Sequence, residues 1–238
     1  MTPIFHLKSC SSTNDEIDTY LLYENMEGAA ICTFNQTSGK GQYGNSWQTK
    51  EDLNIAYSLA IPEEKIVVRQ DLFNFRTATV LRAFLANMTR EHVEVKWPND
   101  LIIRQKKIAG ILVERKTVGG RSYLVVGIGL NVLQENFQNL PKAGSLLIQT
   151  GMRFDLPEFS EHLNRYMSDH LTIAIADAEI VEEINQWLFR KDIISVFEIA
   201  GVRQNGIITK VDEDGFLWVQ LEKDDVKKFF HKEIELLY

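Results

Sequence analysis

The chain has 238 residues, of which 45% are hydrophobic and 25% charged, a composition typical of globular proteins, with room for one large domain and a small appendage. Its formal net charge of −7 argues against general nucleic-acid binding, which needs clustered lysine and arginine, and no stretch approaches the roughly 18 consecutive apolar residues of a membrane span. Cys10 and Cys32 are too few for a disulfide framework, and no basic stretch followed by an apolar run opens the chain, so the expected compartment is a reducing cytoplasm.

In chain order, residues 4–8 read as a short strand. At Ser12-Thr13-Asn14-Asp15-Glu16, side chains able to cap a helix precede apolar Ile17, Tyr20 and Leu21, so a helix starts there. Gly28 ends it, and Ala29–Phe34 is a second strand. The polar, glycine-rich stretch from Asn35 to Lys50 has neither period and is predicted to be a functional loop. Asn54–Ile61 alternates as a strand, stopped by Pro62. The clearest helix covers 70–88, with Leu72, Phe75, Leu81, Phe84, Leu85 and Met88 at three- and four-residue spacings. Strands follow at Val93–Lys96, Lys107–Arg115 and Arg121–Val132, the last two joined at Gly119-Gly120. A helical region spans roughly 156–188. Beyond 190, short strands around turns such as Asp212–Gly215 predict a small closed β-domain. The fold class is α+β: a mixed sheet packed with helices over 1–189, then a β-barrel over 190–238.

Four constellations carry possible chemistry, each with a bland alternative. Gly39-Lys40-Gly41-Gln42-Tyr43-Gly44 can turn backbone N–H groups towards carboxylate or phosphate oxygens; equally, it reads as a surface loop. Lys96-Trp97-Pro98-Asn99-Asp100 is a stiff turn able to present a lysine, an amide and a carboxylate to a nucleotide or its metal, or simply to join two strands. Lys106-Lys107 precede a dense apolar strand in which Gly110 leaves space for a ligand, although most such lysines face solvent. Gly127-Ile128-Gly129-Leu130-Asn131 suggests close approach of something flat, or ordinary packing.

Together these patterns are specific. They stand in the order and spacing of the biotin–protein ligase catalytic domain, and the chain resembles that family from about residue 9 to 132. The most specific pairing is K-W-P-N-D followed seven residues later by K-x-x-G-I-L-V-E. The resemblance implies a class II synthetase-like domain with a C-terminal SH3-like barrel. It implies an enzyme that forms biotinyl-5′-AMP from biotin and ATP, with Mg²⁺ entering with ATP, and passes biotin to a lysine of a biotin carboxyl carrier protein. Lys107 matches the family's catalytic lysine, and the spacing to Gly110 favours it over Lys106. Biotin is then expected to meet Ser12, Thr13, Asn14, Gln36, Gly39, Lys40, Gly41, Gln42, Lys107 and Gly110. The nucleotide is expected to meet Lys40, Gln42, Trp47, Asn99, Lys107 and Asn131, with Asp100 near the metal.

The glycine loop departs from the family's G-R-G-R-x-G-R: its three arginines are replaced by Lys40, Gln42 and Asn45. Neither glutamine nor asparagine replaces a guanidinium, so the adenylate is held less tightly or charge comes from elsewhere. Many relatives carry an N-terminal DNA-binding domain. Here the first strand begins within a few residues of Met1, and residues 191–238 hold ten acidic against seven basic side chains, so no nucleic-acid partner is expected. A monomer or a homodimer is compatible with the family. Two rival readings are a lipoate ligase or octanoyl transferase, whose R-R-x-x-G-G-G signature is not visible, and a biotin-binding sensor without transfer activity.

Overall fold

The computed structural model describes residues 2–23, 27–138, 140–222 and 225–238. β1 (Ile4–Leu7) leads through α1 (Thr13–Leu21) to β2 (Ala29–Thr33). Ser12 occupies the cap position of α1 in an extended conformation, yet its side chain makes no capping bond, and Thr13 and Asn14 are buried. The glycine-rich stretch holds a small ribbon, β3 (Gly39–Lys40) paired with β4 (Ser46–Trp47). Two-residue strands are too short to show a period in the sequence.

β5 (Asn54–Pro62) and α2 (Gln70–Thr89) follow, then β6 (Val93–Lys96), β7 (Asp100–Ile103), β8 (Lys106–Val118) and β9 (Arg121–Asn131). The predicted helical region is two helices, α4 (Leu156–Leu171) and α5 (Asp177–Gln186), preceded by a short α3 (Leu146–Thr150).

The strands form a seven-stranded sheet in the order β1-β2-β5-β9-β8-β7-β6. Only β1 and β2 run parallel; the other neighbours are antiparallel. The sheet is covered on both faces. Ala30 and Cys32 of β2 join the core built with α2, α4 and α5, while Ala29 and Ile31 join a smaller cluster with Ile17 and Leu21 of α1. Such a strand reads as a continuous apolar run because each face has something to bury against, each large side chain contributing roughly 1.5–3 kcal/mol.

On β9, Tyr123 and Val125 sit under α1. Along that same face the next alternate positions are Gly127 and Gly129, directly opposite Leu112 and Gly110 of β8. The α1 face therefore falls away into a hollow at that end of the sheet.

The C-terminal strands β10 (Ile194–Ile199), β11 (Val202–Val211), β12 (Leu217–Leu221), β13 (Val226–Phe229) and β14 (Glu235–Leu237) form an antiparallel sheet in the order β13-β12-β11-β10-β14. Among the described residues its edges, β13 and β14, do not pair with each other. The closed barrel expected from the sequence is thus an open sheet: edge strands of four and three residues offer little to close it. Phe197, Ile208, Val211 and Val219 pack into the same core cluster as the large sheet. Among the described residues no helix is long and apolar enough to cross a membrane.

Candidate active site

A cleft of about 580 Å³ opens over the glycine end of the sheet, between the start of α1, the 35–50 flap, the Lys96–Asp100 turn and the C-terminal sheet. Its floor is a row of minimal side chains: Ala56, Gly110, Gly127 and Gly129. A Cβ on Gly127 would stand 2.9 Å from Cγ of Asn14, and one on Gly129 would stand 2.5 Å from Nε1 of Trp47. Both glycines are therefore required by close approach. The flat group expected there is, over Gly129, the protein's own indole, while Gly127 lies against the Asn14 amide.

At the α1 end, neutral donors and acceptors are linked. The Thr13 amide donates to Oε1 of Gln36 (2.9 Å), Ser58 Oγ lies 2.8 Å from Thr13 Oγ1 and 2.5 Å from Asn14 Oδ1, and Asn14 Nδ2 donates to Glu114 (2.7 Å). Lys116 Nζ donates to the Asn14 carbonyl at 2.5 Å and meets Asp18 at 2.9 Å, which fixes the start of the helix. Ser12, Thr13, Asn14 and Gln36 all line the cleft.

The flap closes the near side. Ser38 N donates to the Ser11 carbonyl at 2.8 Å, and Gly41 N to the Asn45 carbonyl at 2.7 Å. Lys40, Gly41, Gln42 and Trp47 reach the cleft wall, but Gly39 does not. It is buried in the ribbon, where a Cβ would meet the Trp47 carbonyl at 2.5 Å. Lys40 is paired with Asp15 at 2.7 Å, and this hydrogen bond pushes its ammonium pKa up.

Opposite the flap, Lys107 Nζ lies 2.7 Å from Asp100 Oδ1 and 5.2 Å from the Trp47 ring centre. Gly110 leaves the room for this, since a Cβ there would stand 3.3 Å from Lys107 Cε and 2.9 Å from the indole. Lys106 turns away and donates to the Pro141 carbonyl at 2.6 Å; it is not on the cleft wall. Lys96 approaches the second oxygen of Asp100 at 3.8 Å, and burial pushes its pKa down against the pull of that carboxylate. Asn99 lines the cleft, yet its Nδ2 is spent on the Ile111 carbonyl at 2.7 Å. Asn131 departs further from expectation. It is buried beside the cleft, not on its wall, because its Nδ2 donates to the Gly144 carbonyl at 2.9 Å. Its Oδ1 and Trp47 Nε1 are both buried without a partner.

No trio of His, Cys, Asp or Glu suited to a metal ion occurs among the described residues. Cys10 and Cys32 are free, their thiols pushed up to about 11 and about 12 chiefly by burial, so neither offers a thiolate nucleophile at neutral pH.

Sequence reasoning missed Ser58, which bonds α1 from a strand 44 residues away, and the C-terminal side of the cleft, formed by His231 and Lys232. The Trp97 ring stacks on His231 with centres 4.7 Å apart and planes 3° from parallel, and its Nε1 donates to the Gly215 carbonyl at 3.0 Å. No local pattern announces these contacts.

Burial lowers the His231 pKa below its ordinary value of 6.5. The neutral ring's contribution to stability is therefore complete above about 6.5 and is lost as pH falls through the lower folded-state value. Urea midpoints are expected to drop more between pH 7 and 5.5 for the natural chain than for His231→Phe, which keeps the stack; equal drops would remove His231 as the cause.

The profile of the biotin/lipoate A/B protein ligase family matches residues 7–131. The chain belongs to that family. Among the relatives of this biotin/lipoate ligase family member are two proteins described as bifunctional ligase/repressor BirA. The one from Bacillus subtilis is 24% identical over 225 residues, covering 88% of this chain and 66% of its own length. The one from Escherichia coli is 26% identical over 223 residues, covering 90% and 68%. The chain thus spans about two thirds of these curated relatives. Biotin protein ligase from Aquifex aeolicus, solved with biotin and ATP, superposes with a TM-score of 0.79 at 22% identity, over 100% of this chain and 99% of that one, which establishes the shared α+β fold.

Proposed function

We propose that this chain is an ATP-dependent biotin–protein ligase. The observation that carries the reading is the position of Lys107: its ammonium stands inside the cleft, between the partly buried carboxylate of Asp100 and the flap. Joining a carboxylate to the α-phosphate of ATP brings two anions together, so a fixed cation in a water-poor site is the group the step needs most. The biotin carboxylate attacks the α-phosphorus, the bond to the β-phosphate oxygen breaks, and pyrophosphate leaves. A lysine amine of the carrier protein then attacks the acyl carbon of biotinyl-AMP, loses a proton, and AMP departs. Lys107 exchanges Asp100 for the substrate oxygens in the first step and offsets the charge on the leaving AMP in the second.

Ser12, Thr13, Asn14 and Gln36 are assigned to the ureido ring, whose neutral donors and acceptors match theirs. Gly41 and Gln42 are assigned to the biotin tail and the adenylate. The indole of Trp47 is assigned to the base, the ring shifting to admit it, and the unpartnered Oδ1 of Asn131 is assigned to the nucleotide. Magnesium would enter with ATP, and Asp100, on the cleft wall, would be a carboxylate able to meet it. The C-terminal sheet is read as a strongly coiled SH3-like module over 190–238, docked on a catalytic unit over 1–189.

The raised thiol pKa values of Cys10 and Cys32 disfavour a thioester route of acyl transfer. The test is biotin-dependent exchange of label between pyrophosphate and ATP, followed by transfer of labelled biotin to a carrier domain. Exchange with lipoate and none with biotin would move the chain to the lipoate branch of its family; exchange without transfer would leave a biotin sensor.

A further inference from the structure

Three lysines that line the cleft have their charge committed. Lys40 is paired with Asp15, while Lys96 and Lys107 share Asp100. Gln42 and Asn45, which also line it, are neutral. The fourth cleft lysine, Lys232, comes from the segment between β13 and β14, and among the described residues no carboxylate lies within ion-pair distance of it. Its Nζ donates to the backbone carbonyl of Tyr43, at the tip of the flap, at 3.2 Å and stands 4.9 Å from the Tyr43 ring centre. Both ends of this contact are held in left-handed backbone, with φ of 67° at Lys232 and 57° at Tyr43, a conformation a residue with a side chain adopts at a cost. The neighbouring His231 ring, stacked on Trp97, lies 5.6 Å from the Tyr43 ring.

We infer that Lys232 is a phosphate-binding and flap-positioning residue: presented by the C-terminal sheet, it supplies the adenylate with a cation not committed to a carboxylate, which the flap lacks, and draws the flap shut through Tyr43. This rests on the ligase reading. A compact ammonium with three donors can keep the carbonyl of Tyr43 and still meet a phosphate oxygen, so closure of the flap and capture of the anion become one event. The C-terminal sheet thereby contributes directly to the site.

The test follows dissociation of labelled biotinyl-AMP from the full chain. Lys232→Gly suits the left-handed backbone and removes only the side chain; Lys232→Met keeps its length without charge. Both are expected to release the adenylate roughly tenfold faster, with a weaker dependence on salt, while biotin alone binds as before. Lys232→Arg is expected to stay near the natural rate, and Gln42→Arg added to Lys232→Gly is expected to restore retention, which a purely structural role would not allow. Unchanged release from Lys232→Gly and Lys232→Met would overturn the inference alone. Failure of the natural chain to hold biotinyl-AMP would overturn the ligase reading, and this inference with it.

Discussion

Lys107→Ala is expected to slow adenylate formation by roughly 10²–10³-fold, the usual effect of deleting one charge-stabilising group from an active site, with biotin affinity only modestly reduced. The side chain is one-third exposed and its ion pair is with Asp100, so its removal leaves the core untouched and Asp100 still faces Lys96. Single-turnover formation of biotinyl-AMP, measured beside equilibrium binding of biotin, separates the two effects. Turnover near that of the natural chain would refute the role given to this ammonium; equal losses in both measurements would mark Lys107 as a biotin-binding group only.

Trp97→Ala is expected to have the largest effect on stability, about 3–5 kcal/mol for a truncated buried aromatic. The ring is 9% exposed, packs in the main core, stacks on His231 and bonds to Gly215; it pins the C-terminal sheet to the turn between β6 and β7 of the large sheet. Trp97→Phe keeps a ring but loses the N–H and is expected to cost about 1 kcal/mol from the hydrogen bond. Urea unfolding measures both. A loss below 1 kcal/mol for the alanine variant would mean that the two units hold together without this residue.

Long helices and buried strands were legible because their periods persist: α2 matches the expected 70–88 to within a residue or so, and β8 and β9 follow the two apolar runs around Gly119-Gly120. β7 was not legible. Its turn to β8 is made by Arg104 and Gln105, with φ of 47° and 63°, positions where Gly, Asn or Asp would have signalled a hairpin. The break between α4 and α5, over Thr172–Ala176, likewise contains neither glycine nor proline. In the site, the residues carried by motifs come together because each motif sits where a strand or helix ends at the cleft. Asn131 and Gly39 belong to motifs but turn to the protein, one towards the Gly144 carbonyl and the other under the flap ribbon. Ser58, His231 and Lys232 belong to no motif, and only the tertiary pairing of distant segments brings them in.

The glycine floor sets a one-way limit on how this pocket can change. At Gly110, Gly127 and Gly129 there is no side chain left to shorten, so point substitutions there can only make the chamber shallower, and each added methyl collides with Trp47, Asn14 or Lys107. Bulkier acyl guests must gain their space from the walls, at Leu112 or Trp47 itself. Selectivity variants should therefore be sought in the sides of the vessel, since at these three glycines its base is already as deep as a backbone permits.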